Sequence, residues 1–281
     1  MTATDFAENP GYTSSYLGDQ HAGQLARLRT LESVFDPLSQ SVFEQLVLPA
    51  RPAILDLGAG AGSLAAWLAR RYPDASVTAT DIDTRLLMDL PGIHVVAHNV
   101  VTDDFPAASF DVVHARALLC HLAEREDILT RAITWLRPGG WLVIEDVSLQ
   151  PSLSTENPLL RKVAQAGVTL LEQSIGSDMR WADTLPRQLR ERGLSNCAHR
   201  TLEGRIGDGS AADTFWAATT AQAVPALLKL QLLTQQDLDA MADLRADPGF
   251  TEAALTLVSA WGQVPALDRN DAAPRALHNE P

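Results

Sequence analysis

The chain has 281 residues, of which 46% are hydrophobic, and a formal net charge of −13 at pH 7. This length is sufficient for one large hydrophobic core, or for a core with an added lid. The negative charge argues against nucleic acid as a partner, because such binding depends on clustered lysine and arginine. No apolar run approaches the roughly 20 residues that span a membrane. The start of the chain lacks the apolar core of a secretory signal.

The two cysteines, Cys120 and Cys197, lie in apolar surroundings without the spacing of metal ligands. Such cysteines are typical of reduced core residues, so we expect a cytoplasmic protein without a metal site.

The first part of the chain predicts two helices. Apolar residues recur at helical spacing within residues 19–34. Asp36 and Pro37 then resemble an N-cap followed by a proline in the first helical position, which predicts that a second helix starts there. We expect residues 1–49 to form a helical lid over the remainder of the protein.

Residues 50–267 are expected to form the main domain, which begins with alternating strands and helices. This alternation predicts an α/β fold with a largely parallel, doubly wound sheet and helices on both faces. The predicted strands are 53–57, 76–80, 93–97, 110–114 and 141–146, and the predicted helices are 63–71, 84–90 and 124–136.

The alternation ends after the fifth strand, where helical periodicity indicates two insertions. They would lie over the carboxyl ends of the strands, where open α/β sheets bind ligands. The polar end of the chain is expected to be a disordered tail. The insertions are predicted at about 150–193 (helices 157–174 and 181–192) and 204–248 (a helix at 211–233), with strands near 195–202 and 254–261 and the tail at 268–281.

A glycine-rich turn between the first strand and the first core helix predicts a nucleotide-binding site. Gly58, Gly60 and Gly62 are spaced G-x-G-x-G, which allows the backbone to approach a ligand closely. The following helix offers free N–H groups to an anionic group. Asp81 ends the next strand, where a carboxylate can accept hydrogen bonds from both ribose hydroxyls.

The glycine loop alone leaves the cofactor open. A dinucleotide-binding loop has the spacing G-x-G-x-x-G, and here Ser63 occupies the position of the third glycine. An NAD(P)-dependent oxidoreductase therefore remains a less favoured alternative on this motif.

Further sequence motifs flank the loop in a fixed order. Asp56 precedes the first glycine, and the segments Phe110–Arg116 and Leu136–Asp146 come later. Together they resemble the class I S-adenosylmethionine-dependent methyltransferases over residues 50–147, and within them bacterial enzymes that act on small molecules in secondary metabolism. The segments Tyr16–Leu28 and Val258–Gly262 support the same resemblance.

The resemblance implies a Rossmann-like sheet with strand order 3-2-1-4-5 and an antiparallel last strand. It also implies S-adenosylmethionine as the cofactor and S-adenosylhomocysteine as the product. The residues that it suggests for the cofactor are Arg27, Asp56, Gly58, Ala59, Gly60, Asp81, Ile82, Asn99, Val100, Ala115 and Arg116.

Several of these residues have specific expected roles. Asp81 would hold the ribose, and the amide of Asn99 and the N–H of Val100 would contact adenine. Asn99 departs from the family, which commonly has aspartate at this position. Arg27 would reach the methionine carboxylate, although an exposed helix arginine is the simpler interpretation. Arg116 ends the fourth strand beside the expected sulfonium, and we expect it either to bind an acidic group of the substrate or to pair with a surface carboxylate.

The candidates for catalysis are His121, Glu145 and Asp146, which follow or end the fourth and fifth strands. One of the two adjacent carboxylates is expected to point into the cleft, because strand side chains alternate. Tyr12, Tyr16 and Trp181 are candidates for substrate binding.

The predicted reaction is methyl transfer to an O, N or C atom of a small molecule, such as a natural-product intermediate. A cyclase, an isomerase or a non-methylating protein that binds the same cofactor is the alternative. The partners would be a small molecule and a second copy in a homodimer, with no nucleic acid and no membrane.

Overall fold

The computed structural model describes residues 22–87 and 90–266, and these form one seven-stranded sheet. The strand order is β3-β2-β1-β4-β5-β7-β6, in which β1 to β5 are parallel and β7 is antiparallel to both neighbours. The predicted order and the antiparallel last strand are confirmed. The strands are β1 (Ala53–Leu57), β2 (Ser76–Asp81), β3 (Ile93–Ala97), β4 (Phe110–Arg116), β5 (Leu136–Ser148), β6 (Ser195–Ile206) and β7 (Glu252–Gln263).

Helices cover both faces of this sheet and its carboxyl edge. They are α1 (Ala22–Phe43), α2 (Ser63–Arg71), α3 (Arg125–Trp135), α4 (Gln150–Ser154), α5 (Pro158–Ile175), α6 (Leu185–Glu191), α7 (Ala211–Lys229) and α8 (Gln235–Ala246). Short 3₁₀ turns lie at Thr84–Leu86, Leu119–His121 and Trp181–Thr184. Among these described elements no helix is long and apolar enough to cross a membrane.

The two sheet faces have separate hydrophobic cores. On one face Phe43 from the end of α1 and Leu68 from α2 pack against the first strands. On the other face Trp135 from α3 and Leu189 from α6 pack against β4 and β5. Hydrophobic residues therefore cover both faces of the central strands, as is usual for a parallel sheet with helices on both sides.

A third core lies beyond the carboxyl ends of the strands. It joins Leu31 and Phe35 of α1 with Leu171 of α5, Phe215 of α7 and Leu257 of β7. These helices form a roof over the edge of the sheet where the βα loops emerge. The second half of the first insertion differs, because α6 packs on a sheet face instead of over the edge.

The ends of α5 are set by local sequence. Asn157 caps the start by accepting the N–H groups of Leu159 and Leu160, and Pro158 takes the first helical position. Gly176 ends the helix in the left-handed conformation (φ 74°). These signals hold the apolar face of α5 in register over the sheet edge.

The prediction of two N-terminal helices is wrong, because one helix runs from Ala22 to Phe43 through Pro37. Proline removes one helical hydrogen bond. Burial of Leu31 and Phe35 before it and Val42 after it favours a continuous helix, since packing outweighs local propensity. The short helix predicted at 84–90 is a 3₁₀ turn at Thr84–Leu86, and residues 88–89 lie outside the described part.

Substitution Pro37→Ala should stabilise a continuous helix by restoring the missing N–H. We expect the free energy of unfolding to rise by about 1–2 kcal/mol, since proline costs ~3 kcal/mol inside a helix and restricts the unfolded chain by ~1 kcal/mol. Chemical denaturation measures this change. Pro158→Ala is the control and should not stabilise, because proline suits the start of α5. Destabilisation by Pro37→Ala would contradict the continuous helix.

Candidate active site

The carboxyl ends of the parallel strands open into a cavity of about 440 Å³. This volume is typical of a pocket for a small molecule. The glycine loop and the loops after β2, β3 and β4 form one part of its wall, and α1, α5 and α7 form the other. Nine predicted cofactor residues line it: Arg27, Gly58, Ala59, Gly60, Asp81, Ile82, Asn99, Val100 and Arg116.

The glycine loop has a backbone shape that other residues rarely adopt. Gly58, Gly60 and Gly62 have φ values of 62°, 59° and 78°. A Cβ on Gly58 would lie 3.0 Å from the Cδ1 atom of Leu118, so the loop also has little room there. The loop leads into α2 and can present backbone groups to a ligand, which fits a nucleoside-linked cofactor.

Asp81 at the end of β2 is tied to this loop. Its Oδ2 accepts the N–H of Gly60 at 3.0 Å and its Oδ1 accepts the N–H of Asp83 at 3.1 Å. Burial raises the pKa of Asp81 and these hydrogen bonds partly oppose that rise. A carboxylate has further lone pairs, so Asp81 can still accept hydroxyl donors from a ribose.

Asn99 shapes the turn after β3 and also lines the cavity. Its Oδ1 accepts the N–H of Val101 at 3.1 Å, and its own N–H donates to Asp103 at 2.9 Å. The turn brings Val100 to the cavity wall. Asn99 therefore has the turn-forming role that is common for asparagine, at a position that also suits an adenine ring.

A buried ionic group lies behind the cavity, in the centre of the sheet. The Nδ1 atom of His114 lies 2.7 Å from Asp56 Oδ1 and its Nε2 lies 3.1 Å from Glu145 Oε2. Burial alone would lower the pKa of His114, but the hydrogen bonds and charges of the two carboxylates raise it to about 9. The imidazolium therefore joins β1, β4 and β5.

This group continues toward α1 and α2 through Ser39. The hydroxyl of Ser39 donates to Glu145 and accepts from Arg116 Nη1 at 3.1 Å. Arg116 also binds Asp36 at 2.8 Å and Ser63 at 3.2 Å. Arg116 is thus held in an ion pair at the cavity wall. Asp36, predicted as an N-cap, is a carboxylate partner within α1.

The structure corrects three predicted positions near the ends of β1, β4 and β5, namely Asp56, Ala115 and Glu145. Asp56 and Glu145 face the buried His114 instead of the cavity. The strand β4 pairs with β5 as far as Arg116, so Ala115 is buried within the sheet. Ala117 lines the cavity in its place, in a turn with φ 49°.

Asp146 is fully buried on the opposite face from Glu145, so the prediction that one of the pair points into the cleft is wrong. The carboxylate of Asp146 accepts the N–H groups of Leu118 and Cys120, each at 3.1 Å. Burial raises the pKa of Asp146 to about 7, although these bonds oppose the shift. Asp146 therefore positions the turn that carries His121.

His121 is the predicted catalytic residue that the structure places on the cavity wall. Its Nδ1 lies 3.0 Å from the hydroxyl of Ser177. Burial, and then the charges of Arg27 and Arg125, lower the pKa of His121 to about 3. The ring is therefore neutral at ordinary pH. Arg27 is itself buried beside it, which corrects the simpler interpretation of an exposed arginine.

Trp181 does not reach the cavity. It is 3% exposed and packs with Leu185 and Leu189 between α6 and the sheet, so its assignment to the substrate is wrong. Tyr12 and Tyr16 lie outside the described residues. Within residues 22–87 and 90–266 there is no cluster of metal-ligating side chains.

Sequence reasoning missed the apolar wall of the cavity. Helical spacing marked these residues as buried, but a residue that packs in a core and one that lines a pocket have the same pattern. The missed residues include Leu28 and Leu31 of α1, Val163, Gly167 and Leu171 of α5, and Phe215, Trp216 and Ala223 of α7.

Comparison with known proteins decides the family. Residues 28–199 match the sequence profile of a methyltransferase domain. The chain belongs to the class I S-adenosylmethionine-dependent methyltransferases. This assignment favours S-adenosylmethionine over the dinucleotide that the glycine loop left open, and S-adenosylmethionine is the cofactor.

Individual relatives agree with this assignment. The chain is 30% identical to O-methyltransferase cnsE of Penicillium expansum, over 69% of this chain and 73% of the relative. It is 45% identical to Methyltransferase str2 of Strobilurus tenacellus over 97 residues, which are 34% of this chain and 35% of that relative. The match to str2 thus spans about a third of the relative's length.

A solved structure shares the fold. Phosphoethanolamine N-methyltransferase 2 of Haemonchus contortus, in complex with S-adenosylmethionine, has a TM-score of 0.55 at 13% identity. The match covers 94% of this chain and 60% of that one.

The buried histidine predicts how stability depends on pH. The pKa of His114 is about 9 in the folded protein and about 6.5 in the unfolded chain, so only the folded state keeps the proton between these values. The contribution of His114 is full below pH 6.5 and is lost as pH rises to 9, by about 3 kcal/mol. Chemical denaturation at a series of pH values measures this loss.

The control for this measurement is His199→Gln, at an exposed histidine. It should leave the loss between pH 6.5 and 9 unchanged, whereas His114→Gln should be less stable and should lack that loss. Equal pH dependence in His114→Gln and the parent protein would show that His114 is not protonated in the fold.

Asp81→Ala should weaken binding of S-adenosylmethionine roughly tenfold to a hundredfold, because it removes a charge-assisted acceptor. Isothermal titration calorimetry measures the affinity. Asp83→Ala is the matched control, since Asp83 lines the cavity but its carboxylate binds Arg85 at 2.8 and 3.0 Å. An unchanged affinity in Asp81→Ala would remove Asp81 from the cofactor site.

Proposed function

We propose that the protein transfers the methyl group of S-adenosylmethionine to an O, N or C atom of a small molecule. The observation that carries this proposal is one continuous cavity, whose wall includes the glycine loop at one side and residues of α5 and α7 at another. A cofactor at the loop would leave a neighbouring space for an acceptor of small size. We further propose a natural-product intermediate as this acceptor.

Different described residues bind different parts of the cofactor. Gly58 and Gly60 offer backbone contacts to its methionine part, and Asp81 accepts the ribose hydroxyls. Ile82 and Val100 provide apolar contacts to adenine. Arg27 is a buried cation that can bind the methionine carboxylate.

The cofactor supplies a methyl group on a positively charged sulfur, which is already a strong electrophile. The protein then has to place the acceptor atom in line behind that methyl group and exclude water. Such positioning can supply about 7–11 kcal/mol of the barrier. The largely apolar walls formed by α1, α5 and α7 are suited to this task.

We assign His121 to contact with the acceptor. Its neutral ring lies on the wall, and the hydroxyl of Ser177 fixes its orientation. A histidine with a pKa near 3 is a weak base, so its contribution is a hydrogen bond that aligns the acceptor. Asp146 acts through the backbone of the same turn and is a positioning residue.

The roof elements α1 and α5 are proposed to act as the lid that the sequence suggests, since both line the cavity.

The names of two relatives support the reaction, because one is an O-methyltransferase and the other a methyltransferase. Both cysteines within the described residues are free thiols, which is consistent with a cytoplasmic location.

Methyl transfer can be tested with isotopically labelled S-adenosylmethionine and a panel of small phenols, alcohols, carboxylic acids and amines. We expect release of S-adenosylhomocysteine together with a labelled acceptor for at least one class. Gly60→Val is the negative control, because a β-branched residue is strained at φ 59° in the loop. Cofactor binding without any release of S-adenosylhomocysteine would favour a cyclase, an isomerase or a binding protein instead.

A further inference from the structure

The charged residues are unevenly distributed over the cavity wall. Those that line it among the described residues come from α1, from the last residues of β2 and β4, and from the loops that follow β2, β3 and β4. From β5 onward the lining residues carry no charge. The cavity thus has a polar end that suits the cofactor and an uncharged end that the cofactor assignment does not use, which we call the apolar chamber. The chamber is lined by Val147, Leu149, Val163, Ala164, Gly167, Leu171, Ile175, Met179, Phe215, Trp216, Thr219, Thr220, Ala223, Leu227 and Leu255.

Gly167 leaves open space at the chamber wall. It lies in the middle of α5, where glycine is less favourable for a helix than alanine. A Cβ added at this position would meet no heavy atom within 4 Å, so packing does not require glycine. The missing side chain therefore leaves space at the cavity wall.

The opposite wall is apolar with two hydroxyl groups. Phe215 and Trp216 on α7 are each 8% exposed, and Thr219 and Thr220 follow one turn later. The guanidinium of Arg245 lies over the Trp216 ring, 5.6 Å from its centre, and forms an ion pair with Asp213. Neither Arg245 nor Asp213 lines the chamber. This wall suits an aromatic or aliphatic body with a neutral polar substituent.

We propose that the acceptor is an uncharged, mainly apolar small molecule, whose body lies between α5 and α7 in the room left by Gly167. This proposal rests on the proposed function and names its substrate class. The chamber lining offers no cation to an acceptor with a phosphate or several carboxylates, and the buried cation of the same cavity, Arg27, is assigned to the methionine carboxylate of the cofactor. Such an acceptor would lose its hydration without compensation, which is strongly unfavourable.

The first test is binding without turnover, with 2-naphthol as a neutral apolar probe and phosphoethanolamine as a charged one. Calorimetry on the full chain saturated with S-adenosylhomocysteine should detect 2-naphthol and show at least tenfold weaker binding of phosphoethanolamine. Equal or tighter binding of phosphoethanolamine would overturn the proposal.

The second test fills the chamber. Gly167→Phe should weaken 2-naphthol binding at least tenfold, whereas the matched control Gly167→Ala should change it less than threefold. Ala223→Leu narrows the chamber from α7 and should also weaken binding, which keeps the test valid if Gly167→Phe does not fold. Unchanged 2-naphthol affinity in the folded filling variants would overturn the proposal.

Affinity for S-adenosylhomocysteine separates the two proposals. It should remain within about threefold of the parent value in all three variants, because the residues changed lie away from the glycine loop. Loss of 2-naphthol binding with retained S-adenosylhomocysteine binding supports the chamber. If the parent protein binds 2-naphthol but transfers no methyl group to any acceptor, the chamber stands and the proposed reaction fails.

Discussion

The imidazolium of His114 between Asp56 and Glu145 is the interaction on which the site depends. All three side chains are almost fully buried, and charges in that position are tolerated only when they are paired and hydrogen-bonded. Their pairing fixes the relative positions of the three central strands. Through Ser39 and Arg116 the same group reaches α1 and the start of α2. The buried ionic group thereby fixes where α1 lies relative to the central strands and the start of α2.

The neighbouring carboxylates of β5 show how one strand serves two sides of the sheet. Glu145 points toward the ionic group under α1, and Asp146 points to the other face and binds the backbone after β4. Strand alternation predicted this opposition. It did not predict that both faces are covered by packed helices, because those helices come from segments distant in the sequence. As a result neither carboxylate touches the cavity, and their effect on chemistry goes through Arg116 and His121.

The sequence predicts those parts of the molecule whose structure is determined by neighbouring residues along the chain. The strands β1 to β5 and the helix α2 follow from hydrophobic period, and the glycine spacing and Asp81 mark one end of the cavity. The remaining features depend on contacts between distant residues. Pro37 lies inside a helix because residues on both sides of it are packed, and Trp181 is buried because α6 folds onto the sheet. Ala117 replaces Ala115 at the cavity because pairing with β5 extends β4.

The two ends of the cavity differ in how much the sequence reveals, and there is a physical reason for the difference. A cofactor with ribose and carboxylate groups needs glycine, aspartate and arginine at fixed places, and such residues stand out in an apolar chain. An apolar acceptor needs only shape, and shape is made by the same side chains that fill a core. Gly167 is the one local hint, since its missing side chain has no role in backbone geometry or close packing. Changes in acceptor preference can therefore arise from substitutions on α5 and α7 that leave the glycine loop, Asp81 and the buried ionic group intact.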